Sequence, residues 1–187
     1  VILKWNGTSW TPEPTGTSTV ITSIWGAAAN DVWAGTNNST LCHFGGTAWT
    51  CGAEPGFSYT MSIWGSSKTD VWAVGPASQA MHWNGTTWAY RSFPSTGAIR
   101  SIWGTDASHI WAVGDGGNIY FYNGMSWVLQ ATYGTNVNLT TVRGTDVNHM
   151  WAVGENGYIL RWSGSVWGIM RNDSPYSLRG LWVSDNT

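Results

Sequence analysis

Apolar residues in this chain come in short runs, mostly of β-branched and aromatic side chains, separated by stretches of Gly, Ser, Thr and Asn. Runs of that composition bounded by Gly read as strands. No segment keeps the 3.6-residue apolar spacing of a helix over a useful length. The clearest stretch, 62–88, reads SIWGSSKTDVWAVGPASQAMHWNGTTW and holds four such runs, opening at Ser62, Asp70, Ala80 and Thr86. Asn84-Gly85 joins the third run to the fourth, a dipeptide suited to a tight hairpin turn because both residues accept positive φ.

The same four runs return every 39 or 40 positions. Complete copies open at Ser23-Ile24-Trp25-Gly26, Ser62-Ile63-Trp64-Gly65, Ser101-Ile102-Trp103-Gly104 and Thr141-Val142-Arg143-Gly144. They define units at about 20–52, 59–91, 98–130 and 138–170; residues 1–10 match the tail of a unit and 177–187 its opening strand. A fixed period of this length is the mark of a repeat architecture.

In the first two strands of a unit, bulky residues occupy consecutive positions, as in Ile24-Trp25 and Val32-Trp33. Consecutive side chains point to opposite faces of a sheet, so both faces need cover. A four-stranded antiparallel sheet covered on both sides by copies of itself is a β-propeller blade. A linear solenoid would require distinct polar caps, and neither end offers one. The expected fold is all-β: a β-propeller with four complete blades plus a split or partial one. It is either a five-bladed ring with an incomplete closing blade or part of a larger ring.

Composition narrows the partners. Charged residues make up 10% of the chain, the formal net charge is −2, and the eight Lys and Arg are scattered singly. No basic stripe exists for nucleic acid or anionic lipid. No apolar run approaches the ~20 residues of a membrane helix, so membrane insertion is not expected either. The first residues lack the features of a signal peptide. Polarity supplied by Gly, Ser, Thr and Asn fits an extracellular or periplasmic protein, secreted or at the cell surface.

Taken with their spacing, the segments SIWG, DVWAVG and HWNGTTW resemble the tryptophan-rich β-propeller repeats of secreted bacterial proteins, and the resemblance covers essentially the whole chain. It implies the propeller and the secreted setting. It does not imply an activity, since propellers host lectins, scaffolds, assembly factors and enzymes. The chain has no Trp-Asp dipeptide and no SxDxGxxW box.

All sixteen tryptophans fall at repeat positions: Trp25, Trp64, Trp103 and Trp182 on first strands; Trp33, Trp72, Trp111 and Trp151 on second strands; the rest on third and fourth strands. A residue needed by every blade is expected to fill the wedge between blades, not to stack on a ligand. Arg143 interrupts the first-strand series and is expected to reach solvent, a channel or a carboxylate. His43 and His82 share one repeat position; His109 and His149 share another with Asp31 and Asp70. The expectation for these is local bonding at strand ends, with no metal and no cofactor.

Catalytic motifs such as HExxH, GxSxG and the P-loop are missing. Cys42 and Cys51 flank one hairpin. If its loop is Gly45 to Ala48, Phe44 pairs with Trp49, His43 with Thr50 and Cys42 with Cys51, which allows a disulfide; two separate small core residues are the alternative. Asn-X-Ser/Thr triplets at Asn6, Asn37, Asn38, Asn84, Asn138 and Asn172 follow from turn chemistry.

Function is therefore sought where units differ, in the loops joining second to third and fourth to first strands, which share one face. The candidate contact residues are Tyr59, Arg91, Phe93, Asp115, Tyr133, Glu155 and Tyr176. The expected role is a non-catalytic binding or assembly module that contacts protein or glycan through this face, as part of a larger extracellular assembly. The alternatives are a lectin with one site per blade and a glycan-active hydrolase.

Overall fold

The computed structural model describes residues 1–184 except 55, 135 and 172. Asn172, and the end of the expected closing strand at 185–187, lie outside the described residues. Two strands come first, β1 (Ile2–Trp5) and β2 (Trp10–Glu13). The first complete blade is β3 (Ile21–Ala28), β4 (Asp31–Thr36), β5 (Thr40–Phe44) and β6 (Trp49–Ala53). The second is β7 (Ser62–Ser67), β8 (Asp70–Val74), β9 (Ala80–Trp83) and β10 (Trp88–Tyr90). The third is β11 (Ile99–Asp106), β12 (His109–Gly114), β13 (Asn118–Tyr122) and β14 (Trp127–Thr132), and the fourth is β15 (Leu139–Asp146), β16 (His149–Gly154), β17 (Ile159–Trp162) and β18 (Trp167–Arg171).

Each set of four forms an antiparallel sheet in chain order, and β1 pairs with β2 alone. This is a β-propeller of four complete blades and one partial blade. Burial falls from the second strands to the fourth: β8 and β12 are almost wholly buried, whereas β6 and β18 are mostly exposed. That gradient explains why second strands are apolar at consecutive positions and fourth strands are not.

Two glycines of the repeat have a steric cause. A Cβ at Gly65 would lie 2.7 Å from Cη2 of Trp25, and one at Gly104 would lie 2.8 Å from Cη2 of Trp64. The glycine of SIWG is thus the seat of the previous blade's tryptophan. At Gly75, Gly114 and Gly154 a Cβ would come within 2.0–2.4 Å of the backbone carbonyl oxygens of Tyr59, Ala98 and Asn138. Only Gly lets the end of a second strand pass so close to the start of its own first strand.

Second-strand indoles act as keys between blades. The Trp33 ring centre lies 5.1 Å from both Trp83 and Trp88, and that of Trp72 lies 5.0 Å from Tyr122 and 5.5 Å from Trp127. Of the sixteen tryptophans three are exposed: Trp5 at 49%, Trp10 at 64% and Trp182 at 87%. All three lie outside the four complete blades.

The hairpin register in β5–β6 is the expected one, Phe44 opposite Trp49, His43 opposite Thr50 and Cys42 opposite Cys51, and the two cysteines form a disulfide. In the Asn-Gly turn, Gly85 takes φ +94° but Asn84 does not take a positive φ. The Asn84 side chain instead accepts the amides of Thr86 and Thr87, both at 3.0 Å, so four residues turn the chain with one left-handed position. The closing strand expected from Leu178 onward is not a strand within 178–184. Among the described residues no strand pairs with it. It still follows a first-strand path: the Leu178 amide donates to the Gly154 carbonyl at 2.9 Å, as the Ile99 amide does to that of Gly75 at 3.0 Å.

Candidate binding face

Successive first strands are tied by a side-chain ladder around the axis. Ser23 Oγ accepts the amide of Ile63 at 3.0 Å, Ser62 Oγ that of Ile102 at 3.3 Å, and Ser101 Oγ that of Val142 at 3.2 Å. Thr141 continues the series differently, its hydroxyl donating to the Arg179 carbonyl at 2.8 Å. The residue just before each of these anchors is Thr22, Met61, Arg100, Thr140 and, in the partial blade, Arg179. All five line one open cavity of about 330 Å³, together with Tyr59 and Thr60. The repeat thus sets five equivalent positions around the channel mouth and fills them with two threonines, two arginines and a methionine.

Arg100 is committed there, its Nε donating to Asp115 Oδ1 at 2.6 Å. Arg179 is exposed and has no ion pair among the described residues. Of the candidate contact residues, Tyr59 lies at this mouth, half-buried. Tyr176 is exposed, and its carbonyl accepts the Gly157 amide at 2.8 Å. Arg91 is exposed beside a separate groove with Tyr122 and Met125.

The others serve the frame. Asp115 Oδ2 accepts the Ala98 amide at 3.0 Å and Glu155 Oε2 that of Asn138 at 3.2 Å, both at the start of a first strand. In the first blade Asn37 Oδ1 takes the Val20 amide at 3.1 Å, so the position is an amide cap whatever the residue's charge. Phe93 is corrected from contact residue to core: it is buried, 4.9 Å from the Tyr120 ring and 4.6 Å from that of Trp127. An apolar ring in a loop over the gap between blades gains more by filling it than by facing water. Tyr133 is half-buried, and its hydroxyl donates to the Trp167 carbonyl, pinning its loop.

The opposite face carries a feature that position counting alone did not resolve. His43 Nε2 bonds Asp31 Oδ1 at 3.1 Å while its ring stacks 4.3 Å from Trp33; His82 Nε2 bonds Asp70 Oδ1 at 2.6 Å and stacks 4.4 Å from Trp72. Where Phe121 or Arg161 replaces the third-strand histidine, the histidine moves to the second-strand start and the aspartate to the end of the first strand. There His109 bonds Asp106 and His149 bonds Asp146 at 2.8–2.9 Å. The joint change of Asp31 with His43, and of Asp106 with His109, was the available sequence signal.

Burial pushes the Asp70 carboxyl up, but hydrogen bonds from His82 and Ser66 outweigh it and hold the group below its ordinary range. Asp106 is likewise held low: its partial burial is overcome by the Ser108 amide and hydroxyl, His109 and Thr105. In the Ser66, Asp70, His82 set the aspartate sits in the middle, so the serine does not face the imidazole as a nucleophile must. Among the described residues no three His, Cys, Asp or Glu side chains cluster as a metal site. Arg143 is half-buried and donates to Val142 O at 2.7 Å and Ser101 Oγ at 3.3 Å, and burial lowers its pKa.

No protein-family model and no curated protein matches the sequence. Solved structures do match in fold. One described as YCF48 bound to D1 peptide aligns with TM-score 0.65 and 17% identity over 87% of this chain and 57% of that one. The WD40 repeats of RRP9 align at 0.70 with 10% identity over 82% and 52%, and the computationally designed Ika8 protein at 0.71 with 15% identity over 89% and 53%. This chain therefore spans about half the length of those chains. At such identities the likeness is one of fold, and the fold is a propeller.

Proposed function

We propose that this chain is a non-catalytic binding module, secreted or attached at a cell surface, that takes hold of a protein segment at the channel mouth of its loop face. The observation that carries the reading is the cavity of about 330 Å³ at which five equivalent repeat positions meet, two of them arginines, with Arg179 unpaired among the described residues. The repeated tryptophans, serines and Asp–His pairs serve the packing and hydrogen bonding of the frame. An open guanidinium beside Tyr59 and the Thr22 hydroxyl suits an acidic side chain or a terminal carboxylate. That one of the similar propellers is described as bound to a peptide supports a peptide over a sugar. The Cys42–Cys51 bridge supports an oxidising compartment, extracellular or periplasmic, and with it the resemblance to secreted bacterial repeats.

Display of a random peptide library against the chain tests this. The expected result is selection of sequences rich in Asp or Glu, or ending in a free carboxylate, whose binding falls about tenfold or more with Arg179→Glu. Peptides that bind the variant equally well would overturn the assignment of the mouth. Specific retention on a glycan array, with no peptide selected, would give the role to a lectin instead.

A further inference from the structure

One position in the blade junctions changes from an acceptor to a cation. Three residues after the fourth-strand tryptophan, the first three complete blades carry Gly52, Arg91 and Gln130. Gln130 reaches across to the fourth complete blade. Its Oε1 accepts the indole N–H of Trp111 at 3.2 Å and that of Trp167 at 2.9 Å. Trp111 belongs to β12 of one blade and Trp167 to β18 of the next, so a single oxygen satisfies two buried donors and ties the junction.

Arg91 cannot do the same, because a guanidinium has five N–H donors and no acceptor. The corresponding indoles between the second and third complete blades are Trp72 and Trp127, 1% and 6% exposed. Neither Nε1 has a hydrogen-bond partner among the described residues. The Trp72 N–H leans toward the Asp70 carboxylate, which it helps to hold below its ordinary range, without closing a bond of normal geometry. The Trp127 N–H is the orphan, and the next junction shows what it lacks: an oxygen placed as Gln130 Oε1 is placed at Trp167.

Arg91 is open to a ligand. It is exposed, holds only long contacts to the Tyr90 carbonyl at 3.3 Å and His82 Nδ1 at 3.5 Å, and forms no ion pair among the described residues. With Ser92, Pro94, Tyr122, Ser126 and Trp127 it lines a groove of about 300 Å³, separate from the channel mouth. We propose that this groove binds a small carboxylate carried on a six-membered ring, one oxygen accepting the Trp127 N–H while Arg91 holds the charge.

The surroundings select that ligand. Arg91 is the only charged residue lining the groove, and Asp70 stands close enough to oppose its effect on the Tyr122 hydroxyl, so a single negative charge is favoured over two. A planar carboxylate also matches the guanidinium fork better than a spherical anion does. The ring would lie against Tyr122 and Pro94, with the exposed Ser92 and Ser126 at its edge. A volume at the lower end of small-molecule sites admits one such ring and not a folded polymer.

The test follows the indole N–H signals of protein labelled with ¹⁵N at tryptophan, the Trp127 signal being assigned with Trp127→Phe. Sodium benzoate and sodium galacturonate are titrated in, each beside its methyl ester. The expected result is a saturable downfield shift of the Trp127 indole proton with an acid and none with its ester; the tighter acid assigns the ring as arene or sugar. Arg91→Ala, at an exposed position, should weaken binding about tenfold or more. Arg91→Gln should abolish binding and, with no ligand present, move the Trp127 indole proton downfield toward that of Trp167. An ester that binds as tightly as its acid, binding undiminished in Arg91→Ala, or no shift at tens of millimolar of either acid would overturn the proposal. So would a Trp127 signal that stays in place in Arg91→Gln.

Discussion

The Ser62 hydroxyl accepts the backbone amide of Ile102 at 3.3 Å, joining residues one full repeat apart, and both are buried. Ser23 with Ile63 and Ser101 with Val142 repeat the bond, so the inner ring is held by side-chain links where no sheet ladder runs between blades. Ser62→Ala leaves a buried amide without its acceptor. Denaturant unfolding should show a loss of about 1–3 kcal/mol.

Equivalent tryptophans should differ sharply according to their neighbours. Trp64→Ala removes a buried indole that seats on Gly104 and should cost about 3–5 kcal/mol, read as a drop in unfolding midpoint. Trp182 occupies the same repeat position but is 87% exposed. Trp182→Ala should stay within about 0.5 kcal/mol of the parent.

The aspartate and histidine pairs set an acid limit. Asp70 and Asp106 have folded pKa values below their ordinary range. A depressed carboxylate adds stability that is present above its unfolded pKa of about 3.9 and is lost as pH falls through the folded value. Stability should therefore decline on acidification below about pH 4. Asp70→Asn should flatten that decline and cost about 1.5–3 kcal/mol at neutral pH, measured by urea titration across the pH range.

The Cys42–Cys51 bridge spans two strands already paired in register. Replacing both cysteines by alanine should cost about 2–3 kcal/mol, the loop-closure contribution expected for a separation near ten residues. The oxidised protein should bind no alkylating reagent by mass and take up two equivalents after reduction.

How much of this was legible beforehand depended on whether a residue's partner lay in its own repeat position. Strand runs, their order and the Phe44 to Cys51 register follow from composition and alternation, which are local. The glycine of SIWG and the burial of second-strand indoles follow from asking what every blade needs. The aspartate and histidine exchange was hidden because the pairing skips between strands, although Asp31, His43, Asp106 and His109 recorded it. Phe93 was misread because an aromatic residue in a loop has the same local sequence whether it covers a gap between blades or faces water. The exposure of Trp5, Trp10 and Trp182 was also illegible from motif identity, since it depends on which neighbouring strands stand beside them.

Repeated tryptophans build the frame, and the three that are largely exposed, Trp5, Trp10 and Trp182, lie outside the four complete blades. Fluorine NMR of protein labelled with 5-fluorotryptophan, with a soluble nitroxide added, tests it directly once single Trp→Phe replacements assign the sixteen signals. The account predicts strong broadening of Trp5, Trp10 and Trp182, and protection of Trp33, Trp72 and Trp111. Broadening of those second-strand signals to the level of Trp182 would contradict it.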